Sequence, residues 1–298
     1  RLRDPVTIPH IEPTRTQVAE RSFAKADYLA AVARAKQLIA DGDFMQEEVG
    51  QRISKPYTAS PLSLYRAVRS LNPSPYMIYY DFDDFHVVSS SPEILVRQEH
   101  VPEGVKVTIR PLAGTRPRGS TPEVDLQIEQ ELLADPKERA EHVMLIDLAR
   151  NDIGRIAKTG TVHVTQAFGV ERYSHVMHIV SNVEGLLQDG LSAMDVLKAT
   201  FPAGTLSGAP KVHAMELIDE LEPVKRGIYG GACGYWSYAG DMDLAIAIRT
   251  AIVKDGVMHA QAGAGLVADS DPEMEWRETE HKVRALMRAS ELVEEGLE

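Results

Sequence analysis

The stretch Ala260–Lys282, AQAGAGLVADSDPEMEWRETEHK, joins a small-residue turn to the opening of a helix. Asp271–Pro272 supplies a helix cap and a proline suited to the first turn. Glu275, Glu278 and Lys282 then fall at positions i, i+3 and i+7, so they share one helix face. Taken alone, this pattern also fits a solvated acidic helix start that complements the helix dipole.

A second copy of the pattern occurs at Asp135–His142, DPKERAEH, where Glu138 and Glu141 form the Glu-x-x-Glu pair. Two helices that each offer a glutamate pair near the N-terminus can bring carboxylates to one point, where they repel each other unless a cation lies between them. Ligand sets made only of oxygen suit Mg²⁺, which keeps water ligands and takes one or two carboxylates. We therefore predict an Mg²⁺ site that an anionic substrate completes.

Composition limits the class of protein. The chain has 298 residues, of which 44% are apolar and 26% charged, an ordinary globular composition. Its net charge of −12 argues against general binding to nucleic acid or to anionic membranes. The single cysteine, Cys233, excludes an internal disulfide and suits a reducing cytoplasm. We therefore expect a cytoplasmic protein with neither nucleic-acid nor membrane partners.

The predicted helices and strands are mixed without βαβ alternation, and many strand pairs resemble hairpins. Met77–Tyr80, Phe85–Ser89 and Ile94–Gln98, for example, are predicted to form one antiparallel series. This order favours an α+β fold with large antiparallel sheets. Residues 1–22 are proline-rich and without steady periodicity, so we expect a linker-like segment there and a folded domain over residues 23–298.

Four predicted strands carry residues that need an explanation. Glu47 and Glu48 are adjacent on a strand, so one should be buried; either the strand lies at a sheet edge or one glutamate lines a polar pocket. Arg249, in the apolar run LAIAIRTAIV, needs an anion or an acidic partner. His178 fits either a satisfied sheet histidine or a catalyst. Cys233 is interpreted as a small hydrophobic residue.

Long motifs recur in order along the chain from about Phe23 to Leu292, and together they resemble those of the chorismate-utilising enzymes. The motifs are MQ (45–46), SPE (91–93), PLAGTRPRG (111–119), KERAEHVMLIDLARND (137–152), FPAGTLSGAPK (201–211), GIYGGACGY (227–235), IAIRTA (246–251) and AGAGLVADSDPEMEWRET (262–279). The resemblance implies that the sheets pack as a sandwich with flanking helices. Family members also carry an N-terminal regulatory domain, which we expect this chain to lack.

The resemblance implies roles for particular residues of the metal and proton-transfer machinery. Glu141 and Glu278 would hold Mg²⁺, with Glu138 and Glu275 alongside. Glu93 would be the general acid that protonates the departing ring hydroxyl. His178 would lie beside the ring as a candidate base for the later elimination of pyruvate.

The resemblance also implies a chorismate-binding set. Gly263 and Lys282 would lie at the ring carboxylate. Tyr229 and Arg249 would clamp the enolpyruvyl carboxylate. The remaining expected substrate contacts are Gly114, Thr115 and Thr205.

Two positions separate branches of the family. Water-using isochorismate and salicylate synthases carry a lysine where this chain has Gln46, and aminodeoxychorismate synthases carry a covalent lysine where it has Ala113. The resemblance therefore favours an anthranilate synthase, a lyase that aminates chorismate with Mg²⁺ and ammonia and then eliminates pyruvate, for tryptophan biosynthesis. A glutamine amidotransferase subunit would supply the ammonia.

Two alternatives stay open: a water-using isochorismate or salicylate synthase, and an inactive chorismate-binding or subunit-interaction domain. The chain departs from the family pattern at Glu47–Glu48, where neutral residues are usual, and at Ser89–Ser90, where Gly or Ala is commoner. Both departures flank residues expected to act on the nucleophile or the leaving group.

Overall fold

The computed structural model describes residues 17–173 and 176–296. In that part of the chain, the strands form two antiparallel seven-stranded sheets. The strands of the first sheet are β1 (Glu20–Arg21), β2 (Gln46–Pro56), β3 (Tyr76–Asp81), β4 (Phe85–Ser91), β10 (Gly208–Ala209), β13 (Thr250–Lys254) and β14 (Val257–Leu266). Their order is β1-β2-β14-β13-β4-β3, with β10 also paired to β2.

The second sheet has the order β11-β12-β5-β6-β9-β7, with β8 also paired to β9. Its strands are β5 (Ile94–Val101), β6 (Gly104–Ile109), β7 (Leu112–Pro117), β8 (His163–Arg172), β9 (Val176–Leu186), β11 (Ala232–Trp236) and β12 (Met242–Ile246). The antiparallel α+β class is therefore confirmed. Most of the predicted linker-like segment 1–22 lies outside the described residues, and Glu20–Arg21 within it pairs with β2.

Helices flank both sheets. They are α1 (Lys25–Asp41), α2 (Pro61–Leu71), α3 (Pro122–Ala134), α4 (Pro136–Gly154), α5 (Ala193–Thr200), α6 (Lys211–Leu221) and α7 (Pro272–Glu294). The predicted caps are confirmed, because Asp135 accepts hydrogen bonds from backbone N–H groups of α4, and Asp271 accepts one from Met274 of α7. No helix in the described ranges is long and apolar enough to cross a bilayer.

One predicted feature of the strand order is wrong. β3 and β4 form the expected hairpin. The other edge of β4 pairs with β13 of the first sheet, whereas β5 belongs to the second sheet. The chain crosses between the sheets at Pro92–Glu93, just after β4. Pro92 has no N–H to continue the ladder, so pairing ends there. The crossover places Glu93 between the two sheets.

Two apolar clusters hold the helices in place. Leu64 of α2, Met258 of β14 and Leu286 of α7 belong to a cluster on the first sheet. Ile153 of α4 and Val183 of β9 belong to a second cluster on the other sheet. Burial of such side chains stabilises the fold by about 1.5–3 kcal/mol each. The clusters thereby fix α4 and α7, whose first two turns carry the two glutamate pairs.

A buried ion pair also joins β2 to the end of α7. Lys55 Nζ lies 2.9 Å from Glu294 Oε2 and 3.0 Å from Ser290 Oγ, and both charged side chains are no more than 5% exposed. A pair this well shielded is costly to break, because the remaining charge stays buried without its partner.

We predict that Lys55→Met lowers the free energy of unfolding by about 3–5 kcal/mol, because it leaves the Glu294 carboxylate unpaired. The double variant Lys55→Met/Glu294→Leu should recover most of that loss. Urea unfolding of both variants measures the difference. Equal stability of the single and double variants would contradict the prediction.

Candidate active site

The longest ladder of the first sheet builds the centre of the site. β14 pairs with β2 from Val257↔Pro56 to Leu266↔Glu47 and then leads into α7. β2 pairs with β1 and β10 on its other side, so it is not an edge strand at Glu47–Glu48. Of the two explanations for the adjacent glutamates, the polar pocket is therefore correct. Gln46 is also buried, at 4% exposure.

Glu93 is a buried acid in the crossover between the sheets. Its side chain accepts a hydrogen bond from Thr205 Oγ1 at 3.3 Å, and the residue is 8% exposed. Burial raises the pKa of Glu93 to about 8, although the Thr205 hydrogen bond and the nearby Lys282 charge oppose the rise. The carboxyl group is therefore protonated at neutral pH and can donate a proton.

His178 lies on β9 opposite a bulge in β7. Its Nδ1 is 3.0 Å from Thr115 Oγ1 and 3.1 Å from the carbonyl oxygen of Gly114. Gly114 has a φ of 66°, a backbone conformation that favours glycine. Burial lowers the pKa of His178, and the positive charge of Arg249 contributes to that shift. A neutral imidazole in this position can accept a proton.

Arg249 is a partly buried cation between β12 and β13. Burial lowers its pKa, while Tyr229, Glu278 and Glu93 lie close enough to favour its charged form. Within the described residues, its guanidinium makes no hydrogen bond or ion pair. A partly buried guanidinium without such a partner is suited to bind an anion, as the sequence indicated.

Glu141 of α4 lies close enough to Glu278 of α7 for their charges to interact. Burial raises the pKa of Glu141 to about 7, and the negative charges of Glu138 and Glu278 add to the shift. Burial also raises the pKa of Glu275, with a contribution from Glu278. A cation between the two helices would relieve the repulsion of Glu141 and Glu275 by their neighbouring carboxylates.

Basic side chains contact both glutamate pairs. Arg116 Nη1 lies 2.8 Å from Glu138 Oε1, and Lys282 Nζ lies 2.7 Å from Glu278 Oε1. Lys282 also donates to the carbonyl oxygen of Gly263 at 2.8 Å, which joins α7 to β14. In the described part of the chain, no three His, Cys, Asp or Glu side chains are grouped closely enough to hold a metal. The all-oxygen donor set nevertheless fits Mg²⁺ chemically.

Sequence reasoning missed the partners of Glu48. Tyr229 donates its hydroxyl hydrogen to Glu48 Oε1 at 2.9 Å, and Arg226 and Glu222 complete a buried cluster behind it. The only signal was the unusual pair of adjacent strand glutamates. Glu222 and Arg226, four residues apart, are distant from Glu48 in sequence, and only folding brings them to β2.

Cys233 behaves as the small hydrophobic residue that the sequence indicated. It is 7% exposed and packs with Ala245 and Ala247. Burial raises the pKa of its thiol to about 11, so the thiolate is scarce at neutral pH.

Comparison with known proteins places the chain in a family. A model described as chorismate binding enzyme matches residues 5–288. The chain belongs to the chorismate binding enzyme family. Its relatives include anthranilate synthase component 1 from Neisseria meningitidis, 60% identical over 297 residues, and from Pseudomonas aeruginosa, 57% identical over 303 residues. Both alignments cover 100% of this chain but only 60% and 61% of those relatives.

Solved structures share the fold of this chorismate binding enzyme. Anthranilate synthase component I from Streptococcus pneumoniae matches with a TM-score of 0.86 and 45% identity, over 96% of this chain and 63% of that chain. The menaquinone-specific isochorismate synthase from Escherichia coli matches with a TM-score of 0.83 at 24% identity, over 96% and 65% of the respective chains. These matches confirm the sandwich of antiparallel sheets with flanking helices.

We predict that Glu93 holds its proton up to about pH 8. The infrared difference spectrum between the wild type and Glu93→Gln should contain a protonated-carboxyl band that disappears as the pH rises through that value. Since the folded protein keeps this proton at a higher pH than the unfolded chain, the wild type should also lose stability relative to Glu93→Gln as the pH rises from the ordinary range for glutamic acid to about 8. A band that disappears in the ordinary range for glutamic acid would contradict the prediction.

Proposed function

We propose that this protein is an anthranilate synthase, a lyase that converts chorismate and ammonia into anthranilate, pyruvate and water. The observation that carries the proposal is that Glu93, a buried acid whose pKa burial raises to about 8, lies close enough to the partly buried cation Arg249 for their charges to interact. Chorismate needs both, because it carries carboxylates and must lose a hydroxyl group. Anthranilate synthase is also the name of its similar relatives.

We propose that the catalytic unit comprises residues 23–298 and that its cations bind the substrate carboxylates. Arg249 and the Tyr229 hydroxyl would receive the enolpyruvyl carboxylate. Gly263 and Lys282 would lie at the ring carboxylate. Mg²⁺, held by Glu141 and Glu278 with Glu138 and Glu275 alongside, would neutralise that carboxylate when bound. Gly114, Thr115 and Thr205 would surround the ring.

The proposed proton transfers use Glu93 and His178. Burial raises the pKa of Glu93 and lowers the pKa of His178. Ammonia forms a bond to the ring carbon beside the carboxylate-bearing carbon as the ring hydroxyl departs, and Glu93 protonates the hydroxyl to give water. The ammonium group formed on the ring then loses one proton, which restores the protonated Glu93. His178 removes a ring proton as the enolpyruvyl C–O bond breaks, and the enolpyruvate takes up that proton to become pyruvate, which leaves an aromatic ring. The raised pKa of Glu93 and the lowered pKa of His178 suit these roles.

The side chain of Gln46 supports ammonia as the nucleophile. It is a buried neutral amide, and its Nε2 lies 3.3 Å from the position that a Cβ on Gly265 would occupy. A neutral amide cannot deprotonate water, whereas free ammonia needs no such base to act as a nucleophile. We propose that a separate glutamine amidotransferase subunit supplies the ammonia and that the reaction takes place in the cytoplasm.

We predict that ammonium salts at high pH support anthranilate formation by the purified chain and that glutamine alone does not. Glutamine hydrolysis needs an activated thiolate, and burial keeps Cys233 as the thiol. Anthranilate fluorescence with each nitrogen source measures the difference, with Cys233→Ser as the control. Formation of isochorismate or salicylate without ammonium would contradict the proposal and indicate water as the nucleophile.

We also predict that Glu278→Gln lowers Mg²⁺-dependent activity by at least about 100-fold, because removing one carboxylate ligand costs several kcal/mol of charge stabilisation. Glu273→Gln is the matched control, since Glu273 begins the same helix and pairs with Lys25 instead. Activity is measured across a range of Mg²⁺ concentrations, and circular dichroism verifies the fold. Wild-type activity in Glu278→Gln would exclude this residue as a ligand.

A further inference from the structure

Glu48 presents a carboxylate of the chain itself to the proposed substrate-binding groups. The residue is 3% exposed, and its Oε1 accepts the Tyr229 hydroxyl hydrogen bond at 2.9 Å. Under the proposed function, that hydroxyl receives the enolpyruvyl carboxylate of the substrate. The hydroxyl has one hydrogen to donate, so two carboxylates cannot both receive it.

The same carboxylate lies over Gly263. A Cβ added to Gly263 would come within 2.5 Å of Glu48 Cδ and 2.6 Å of Glu48 Oε1, so the Glu48 carboxyl group occupies the space above this glycine. Gly263 is the second proposed contact for a substrate carboxylate. Glu48 therefore contacts Tyr229 and lies next to Gly263, the residues that are proposed to bind the two carboxylates of chorismate.

The charge of Glu48 is only partly compensated. Arg226 Nη1 lies 3.2 Å from Glu48 Oε2, but Arg226 Nη2 is closer to Glu222 Oε1, at 2.6 Å. One guanidinium thus serves two carboxylates. Glu48 Oε2 is also buried with no hydrogen-bond partner among the described residues. Its charge therefore remains available to repel an incoming anion.

We propose that Glu48 is a specificity-determining residue that competes with the substrate carboxylates for Tyr229 and for the space above Gly263. This inference rests on the proposed function. Chorismate binding then requires Glu48 to give up the Tyr229 hydroxyl, and Arg226 offers the carboxylate an alternative partner. Glu48 thus weakens the binding of dicarboxylate substrates. Ligands that interact too weakly to displace its carboxylate from the Tyr229 hydroxyl are excluded.

The neighbouring Glu47 is a matched control. It is fully buried on the same strand, but successive strand residues point to opposite faces, so it points away from the face that carries Glu48. Neither of its carboxylate oxygens has a hydrogen-bond partner among the described residues. Glu47→Gln makes the same substitution one position away and outside the proposed substrate pocket. Because burial raises the pKa of Glu47 to about 8, this variant controls for the loss of a buried carboxyl group, whereas Glu48→Gln also removes a charge.

The experiment is calorimetric titration with chorismate, in the presence of Mg²⁺ and without ammonium. The proteins are the wild type, Glu48→Gln, Glu47→Gln, Tyr229→Phe and the double variant Glu48→Gln/Tyr229→Phe. Glu48→Gln replaces the charged acceptor of the Tyr229 hydroxyl with a weaker, neutral one and removes the repulsion, so it should tighten binding about tenfold. Glu47→Gln should bind chorismate as the wild type does. The gain should shrink in the Tyr229→Phe background, because competition for the hydroxyl no longer exists.

Chorismate binding by Glu48→Gln that is equal to or weaker than wild-type binding would overturn the proposal, as would an undiminished gain in the Tyr229→Phe background. Anthranilate formation with ammonium is scored separately. Tighter binding by Glu48→Gln without any turnover would support the competition and overturn the proposed function. Turnover together with unchanged chorismate binding by Glu48→Gln would support the proposed function and overturn the competition. An absence of chorismate binding in every protein would overturn both the proposed function and the competition.

Discussion

The ladder between β2 and β14 is the constraint on which the site depends. It pairs Glu47 to Pro56 with Leu266 to Val257 in one uninterrupted antiparallel register. Because side chains alternate along a strand, a slip of one residue would turn Gln46 and Glu48 away from the site. β14 ends at Leu266, shortly before Asp271, the N-cap of α7, so the ladder also sets the positions of Glu278 and Lys282. The register of this one pair of strands thereby positions the residues that are proposed to contact the nucleophile, the substrate and the metal.

Around that ladder, burial shifts the titration of the site residues. Desolvation raises the pKa of Glu93 and of Glu141 and lowers the pKa of His178. Each shift has the direction that disfavours the charged form. The site therefore keeps an acid protonated and a base neutral at the same pH, which general acid–base chemistry requires. The apolar clusters on the two sheets must offset the cost of these buried polar groups.

Part of this arrangement was predictable from short segments. Asp-Pro followed by Glu-x-x-Glu predicted two capped helices, and the structure has both, at α4 and α7. The apolar surroundings of Arg249 indicated a buried cation that needs an anion. The strand pairs around residue 90 were not predictable, because sequence gives strand propensity but no partner: β4 and β5 adjoin in sequence and lie in different sheets.

The sequence by itself determined the elements, the caps, the antiparallel α+β class and the family, because these depend on local periodicity, on turn chemistry and on long ordered motifs. Only the tertiary structure decided which charges meet. Glu48 finds Tyr229 and Arg226 across about 180 residues of chain, and Glu93 becomes buried only because the chain crosses from one sheet to the other. Electrostatic environment depends on distance through space and on exclusion of water, and neither is a property of a short stretch of sequence.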